Sequence, residues 1–152
     1  MRASTVSRSM VFALGAMLAP AVHAAEFKSI GNDPAILYDA PTLRATRLFA
    51  APRGMPLEVI VTQGDWLRVR DANGGLSWVE KKAVIDRRTV VAKGAAAPIE
   101  VHSAPDASAA VVYRVQPTVL LDVTGPPVGG WVPVRHRDGQ TGFVKASDVW
   151  GT

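Results

Sequence analysis

The chain has 152 residues, contains no cysteine, and holds 13 glycines and 11 prolines. The absence of cysteine excludes disulfides, thiol nucleophiles and thiolate metal sites. The formal charge of +4 is spread along the chain without a dense basic run, which argues against nucleic acid as a partner, and the composition is typical of short strands joined by tight turns.

The first predicted element is a secretory signal peptide over residues 1–24. Arg2 and Arg8 precede an apolar run at Met10–Ala19, and small or medium-sized residues stand three and one before a cut after Ala24. The run is shorter than the ~20 residues that span a bilayer. We therefore expect cleavage, with an uncleaved membrane anchor as the alternative, and no transmembrane segment in the mature chain. The protein would then be periplasmic or secreted, with 15 basic and 13 acidic residues and a formal charge of +2.

After the leader, one pattern of residues occurs twice, which indicates an internal duplication. Ala35–Pro41 matches Ile99–Pro105, and Gly64–Arg70 matches Gly129–Arg135. Two later pairs keep the same order: Asn73-Gly74 with Asp138-Gly139, and Trp78-Val79 with Phe143-Val144. One gap aligns the two copies over their whole length.

The duplication predicts two small domains, at residues 27–89 and 98–152. The segment 90–97 is small and weakly patterned, so we assign it to a linker. Because this linker is short, we expect the domains to touch rather than swing freely.

Each copy is predicted to consist of short β-strands. Trp66–Arg70 and Trp131–Arg135 alternate with a period of two, which is typical of half-buried strands. Asn-Gly and Asp-Gly then favour tight hairpin turns. Pro133 has no backbone donor, so we expect an edge or a bulge there. Each copy is predicted to begin with a strand that Pro41 or Pro105 closes and to end with a short apolar strand, at Ala83–Ile85 or Asp148–Trp150. The predicted strands between them are Leu57–Val61, Trp66–Arg70 and Leu76–Glu80 in the first copy, and Thr118–Val123, Trp131–Arg135 and Thr141–Lys145 in the second.

The aromatic residues of the alternating strands are the candidate ligand-binding residues. The alternation places both indoles on outer strand faces, together with arginines. Either a loop and arginine stacking cover each indole, or each indole floors a shallow groove in which a peptide docks. The candidate residues are Tyr38, Trp66, Arg68, His102, Trp131 and Arg135.

Catalytic and metal chemistry has little support in the sequence. His102 and His136 are the two histidines of the mature chain, and His136 with Asp138 lies on a predicted hairpin turn, which this pair is expected to stabilise. A serine nucleophile needs a histidine base with its own orienting acid, and no spacing motif indicates zinc. We therefore expect no catalytic residues, no metal and no cofactor.

These motifs resemble the bacterial SH3-like (SH3b) domain family, in an exported two-copy subfamily. The resemblance rests on Gly64-Asp65-Trp66-Leu67-Arg68-Val69 and Gly74-Gly75-Leu76-Ser77-Trp78-Val79 in the first copy, and on Gly130-Trp131-Val132-Pro133-Val134 and Asp138-Gly139-Gln140-Thr141-Gly142-Phe143-Val144 in the second. It extends from about Phe27 to Gly151, although Ser77 stands where the family favours glycine. The resemblance implies an all-β protein of two tandem five-stranded barrels.

The resemblance also implies a binding role, because better-understood relatives are appended to cell-wall hydrolases and bind peptidoglycan peptides. We expect a non-enzymatic periplasmic binding module for a peptide-like ligand, either a peptidoglycan peptide or a segment of an envelope protein. The alternative is a structural or accessory subunit of a cell-envelope complex. An exposed apolar surface spanning both domains would favour that alternative.

Overall fold

The computed structural model describes residues 24–94 and 97–152, so the predicted signal peptide lies outside the described residues except for Ala24. The described part is all-β, as predicted, with two antiparallel sheets of seven strands each. Two three-residue 3-10 turns, Lys81–Ala83 and Ala146–Asp148, are its only helical elements. Within these residues no helix has the length and apolar character needed to cross a bilayer.

The two sheets contain the same elements in the same sequence. The first has β1 (Glu26–Ile30), β2 (Ala35–Tyr38), β3 (Arg47–Ala51), β4 (Pro56–Gln63), β5 (Trp66–Arg70), β6 (Leu76–Glu80) and β7 (Val84–Ile85). The second has β8 (Thr89–Ala92), β9 (Ile99–His102), β10 (Val111–Val115), β11 (Leu120–Val123), β12 (Trp131–Arg135), β13 (Thr141–Lys145) and β14 (Val149–Trp150).

The strand order repeats between the sheets, which is the structural form of the duplication. The first order is β3-β2-β6-β5-β4-β1-β7 and the second is β10-β9-β13-β12-β11-β8-β14. Each strand of the second sheet therefore occupies the place of the strand seven positions earlier.

Each unit buries its own core beneath the alternating strands. Leu67 and Val69 of β5, and Val132 and Val134 of β12, point inward and are fully or almost fully buried, as their period of two predicted. The remaining core residues are aliphatic and come from the other strands of the same sheet. The two cores are separate clusters, so each unit has the apolar interior expected of a small domain.

The structure has seven strands per sheet instead of the five that were expected. The additional strands are β1 and β3 in the first unit and their counterparts β8 and β10 in the second. β3 is exposed over its first four residues and β8 is buried at three of its four. Neither therefore shows the alternation by which a half-buried strand is recognised.

The linker prediction for residues 90–97 is wrong for its first three residues. Val90, Val91 and Ala92 belong to β8, which pairs with both β11 and β14. Val90 and Ala92 are part of the second core. These three residues lack polar side chains because they are buried or half-buried in the second unit.

The two units pack directly against each other, with β8 at the junction. Thr89 Oγ1 donates to the Gly54 carbonyl at 2.7 Å and lies 2.6 Å from Ser29 Oγ. Because the threonine proton is used on Gly54, Ser29 donates to Thr89. Phe27 meets Trp150 edge to face, with ring centroids 5.1 Å apart. These contacts join the first strand of one unit to the first and last strands of the other.

Candidate functional site

Tyr38 and Trp66 form an aromatic pair on the first unit. Tyr38 ends β2, and Trp66 begins β5 directly after the tight Gly64-Asp65 turn. Their rings meet edge to face, with centroids 5.4 Å apart and an interplanar angle of 87°. Tyr38 is buried, whereas Trp66 stays half-buried, so a face of the pair remains accessible. This is an arrangement that aromatic rings favour, and it fixes the indole in place.

A surface depression of about 560 Å³ lies beside this pair and includes Tyr38 in its lining. Its wall combines apolar side chains with two acids, Asp33 and Glu80, and one base, Lys82. The lining residues are Gly31, Asn32, Asp33, Pro34, Ala35, Ile36, Tyr38, Glu80, Lys82, Ala83 and Ile85. Lys82 Nζ lies 2.9 Å from Glu80 Oε1, and this hydrogen bond raises the pKa of the Lys82 ammonium above its ordinary 10.5. The depression therefore presents an apolar floor with a paired positive and negative group at its edge.

His102 and Trp131 form the equivalent pair on the second unit. The ring centroids are 5.0 Å apart with an interplanar angle of 70°. His102 is buried, and its Nδ1 lies 2.9 Å from the Ala109 carbonyl oxygen. Because that oxygen can only accept, Nδ1 carries the proton of the contact.

Trp131 is covered, which is the first of the two alternatives that the sequence left open. Only 8% of it is exposed. Its backbone makes two hydrogen bonds to Val128, of 2.8 and 2.9 Å, and Lys145 Nζ lies 5.9 Å from its ring centroid. The ring of His102 and a cation therefore pack on the second indole, and the cation is lysine where the covered alternative expected arginine.

Pro133 accounts for the longer connection between β11 and β12, which spans residues 124–130 where the first unit has a two-residue turn. Its carbonyl accepts from Thr124, so its nitrogen faces β11, and a proline nitrogen has no proton to donate there. The β11–β12 ladder consequently ends at the pair Val123–Val134. Residues 124–130 form the connection to β12, and Val128 bridges to Trp131 where that strand begins. The predicted edge or bulge is in fact the end of a ladder.

The two arginines predicted at the sites lie away from the aromatic pairs. Arg68 is exposed in the middle of β5, where it lies across from Trp78 of β6. Arg135 is at the far end of β12 from Trp131, where its Nη2 is 3.9 Å from Asp122 Oδ2. The structure thus brings together Tyr38 with Trp66 and His102 with Trp131, and leaves Arg68 and Arg135 apart from both pairs.

Glu80 and Lys82 were absent from the predicted site. The predicted strand register could have identified Glu80 as a neighbour of the indole. Counting back from the Asn73-Gly74 turn pairs Trp66 with Glu80, and the same count in the second unit pairs Trp131 with Lys145. The residue beside the indole therefore has opposite charge in the two copies. Lys82 follows in the 3-10 turn, and no periodicity indicates where its side chain points.

Comparisons with known proteins agree with this architecture. A family model described as bacterial SH3 domain matches residues 31–86 and again residues 95–151. A search of curated proteins finds no match. β1 and β8 precede the two matched segments, so these strands extend the matched unit.

Two solved structures show low overall similarity. The structure of NlpC1 from Trichomonas vaginalis has 9% identity and a TM-score of 0.39, covering 88% of this chain and 48% of that one. NlpC2 from the same organism has 10% identity and a TM-score of 0.38, with coverage of 85% and 49%. The chain thus spans about half the length of these two proteins. The two family matches together cover most of the chain, and the protein therefore belongs to the bacterial SH3 domain family, with two copies of the domain.

Proposed function

We propose that this protein is a non-enzymatic periplasmic binding module that recognises a peptide-like ligand through its first unit. The ligand is a cell-wall peptide or a segment of an envelope protein. The observation that carries the proposal is the partly exposed Trp66, which packs edge to face on Tyr38, a lining residue of a depression of about 560 Å³. Membership of a family of binding modules supports the same role.

The chemistry of the depression suits a short peptide. Aromatic rings supply apolar contact at low cost in side-chain entropy. Glu80 and Lys82 lie at the edge of the same surface and offer one acceptor and one donor of opposite charge. A peptide that carries both an amine and a carboxylate can pair with both groups while its side chains pack against Tyr38 and Ile36.

The second unit is proposed to serve as a scaffold. Trp131 is only 8% exposed and its ring packs against His102 and Lys145, so a ligand would have to displace these side chains to reach it. The copy also lacks the acid beside the indole, because Lys145 occupies the place of Glu80. One open site and one closed site are therefore proposed for the pair.

A sedimentation assay on purified peptidoglycan tests the proposal. Trp66→Ala is expected to weaken retention about tenfold or more, because central aromatic residues commonly contribute at least ~2 kcal/mol to binding. Leu76→Ala, at another exposed apolar residue of the same unit, is the matched control and should bind as the wild type does. Equal retention of the wild type and Trp66→Ala would refute the site. Release of soluble fragments from the peptidoglycan would refute the non-enzymatic assignment.

One observation favours the accessory-subunit alternative. β3 lies at one end of the first sheet, and its Leu48 and Phe49 are 47% and 41% exposed. An apolar strand at a sheet edge can accept a strand from another protein. If this is the working surface, Phe49→Lys should abolish capture of an envelope partner while Trp66→Ala leaves it unchanged. The reverse result would favour the aromatic pair.

A further inference from the structure

A second concave surface lies between the two units and is distinct from the aromatic pair. This inter-unit cleft has a volume of about 680 Å³. Both units contribute to it, and most of its charged side chains are arginines. The lining residues are Arg53, Gly54, Arg87, Thr89, Thr118, Val119, Leu120, Asp122, Arg135, His136 and Arg137.

The cleft concentrates positive charge to a degree that the composition does not reveal. It contains four arginines and a single carboxylate, Asp122, which gives a net formal charge of +3 with His136 neutral. That value exceeds the +2 of the whole chain beyond residue 24. A concave surface lined by one sign of charge focuses the field and raises the local concentration of counter-ions.

Two of the four guanidinium groups have no carboxylate partner in the described part of the chain. Asp122 accepts from Arg87 Nε at 3.0 Å and lies 3.9 Å from Arg135 Nη2. Arg53 and Arg137 are exposed, and in the described part of the chain neither has a carboxylate within 4.0 Å. The cleft therefore retains donors for an anion from outside.

The rim of the cleft also contains the one non-glycine residue with a positive φ among the described residues. Thr118 has φ 71°, and the equivalent Gly54 has φ 77°. Their amides make matching bonds, to the carbonyls of Ala92 and Ile30 respectively. A β-branched residue is strained in this conformation, whereas glycine is not. Strain of this kind concentrates at ligand sites, and here it keeps a hydroxyl-bearing residue in the lining of the cleft.

We propose that the inter-unit cleft is a binding site for a ligand that carries a diphosphate or two adjacent phosphate groups. Guanidinium groups bind phosphate oxygens in a two-pronged geometry, and the free arginines are the ones available for it. A single carboxylate would leave most of the charge of the cleft uncompensated, whereas a diphosphate balances it. The two-unit origin of the cleft implies that neither unit binds such a ligand alone.

Titration calorimetry of the mature chain with inorganic pyrophosphate tests this proposal. The wild type should bind, and the double variant Arg53→Ala with Arg137→Ala should bind about tenfold or more weakly. The double variant Arg44→Ala with Arg47→Ala is the matched control: it removes the same charge from exposed residues that do not line the cleft, and should bind as the wild type does. Asp122→Asn should bind pyrophosphate several-fold more tightly, a gain that partial unfolding cannot produce.

Several outcomes would overturn the proposal. The wild type could fail to bind pyrophosphate, or both double variants could bind it equally weakly. Succinate could also bind as tightly as pyrophosphate. Binding to vesicles that contain an anionic phospholipid is compared with binding to soluble pyrophosphate. This comparison shows whether a lipid headgroup or a soluble phosphate compound supplies the phosphate groups. None of these results depends on Trp66, so this site and the peptide site can fail independently.

Discussion

At the scale of single residues, the two copies differ most sharply where one has glycine and the other has serine. A Cβ at Gly142 would lie 2.7 Å from both the His102 carbonyl oxygen and Val101 Cγ1, so glycine is required there. The equivalent Ser77 in the first unit has room for its side chain. Its buried hydroxyl, however, has no hydrogen-bond partner among the described residues. The first copy has therefore lost the need for glycine without gaining an interaction.

Replacing Ser77 by alanine is expected to stabilise the protein. Ser77 is 4% exposed, and a buried hydroxyl without a partner carries a desolvation cost of about 1 kcal/mol or more. The free energy of unfolding from urea titration should therefore rise by about 1 kcal/mol.

Ser29→Ala is the matched control for this change. Ser29 is 1% exposed, but its hydroxyl contacts Thr89 Oγ1 at 2.6 Å, so the same substitution should lower the free energy of unfolding. Equal effects at the two positions would contradict this view of Ser77.

At the scale of elements, strands with one buried and one exposed face were predictable. Strands whose two faces are both buried or both exposed were not. β5, β6, β12 and β13 have the predicted bounds, because alternation reveals a half-buried strand. β8 is covered by its own core on one side and by the first unit on the other, so its sequence shows no period of two. β3 lacks the period for the opposite reason, since both of its faces are exposed over most of its length.

The position of β8 leads to a prediction about fragments of the chain. A fragment of residues 98–152 lacks β8, and burial of Val90 alone contributes about 1.5–3 kcal/mol. Because small domains have only ~5–15 kcal/mol of stability in total, this fragment should be unfolded. A fragment of residues 88–152 retains the strand and should show the circular dichroism and cooperative melting of a β-protein. Cooperative melting of the shorter fragment would show that β8 is dispensable.

Two aspartate-capped turns in the second unit predict sensitivity to acid. The carboxylates of Asp106 and Asp138 accept backbone hydrogen bonds from Ser108 at 2.7 Å and Gln140 at 3.0 Å. These bonds are the largest cause that lowers the pKa of each carboxyl below its ordinary 3.8. A carboxyl that is more acidic in the folded state stabilises the fold above its unfolded pKa. That contribution disappears as the pH falls through the lower, folded pKa.

The thermal midpoint of the wild type should therefore fall as the pH is lowered from about 5 to about 2. Asp106→Asn with Asp138→Asn should flatten this dependence, since an amide oxygen still accepts the backbone bonds but does not titrate. Scanning calorimetry of the two proteins across this range measures the difference. Parallel curves would rule out a contribution from these two turns.

At the scale of the whole molecule, the units form one packed body instead of two domains on a tether. A continuous chain of hydrogen bonds crosses the junction through Ser29, Thr89 and Gly54. Beside it, Phe27 meets Trp150 edge to face. The sequence predicted that the units touch, because the intervening segment is short. It could not predict the contacts, since the junction uses small polar residues that have no distinctive pattern.

The candidate site was predictable in part for similar reasons. Alternation and the duplication identified the members of both aromatic pairs. Which indole stays open depends on the side chains around it, and alternation does not indicate that His102 and Lys145 pack on Trp131. The inter-unit cleft was not predictable, because its arginines come from separate strands and turns of both units.

Thermal unfolding of the intact protein should occur in one transition because the units share this junction. Thr89→Val with Phe27→Ala removes the hydroxyl that bridges the units and one of the two stacked rings. This double variant should melt in two transitions, or in one that is clearly broader, because buried hydrogen bonds contribute about 1 kcal/mol each and the ring more. Scanning calorimetry detects the change, and a single unbroadened transition in the variant would show that the coupling resides elsewhere.

The equivalent places of β1 and β8 also bear on how the molecule arose. Ile30 and Ala92 make matching backbone bonds, to Gly54 and Met55 in one unit and to Thr118 and Val119 in the other. Two strands inserted independently would have no reason to share this geometry. The ancestral segment that was copied therefore already contained this strand, upstream of the repeated motifs. After the duplication, the strand that had been the first of a single domain became the strand at the junction between two domains.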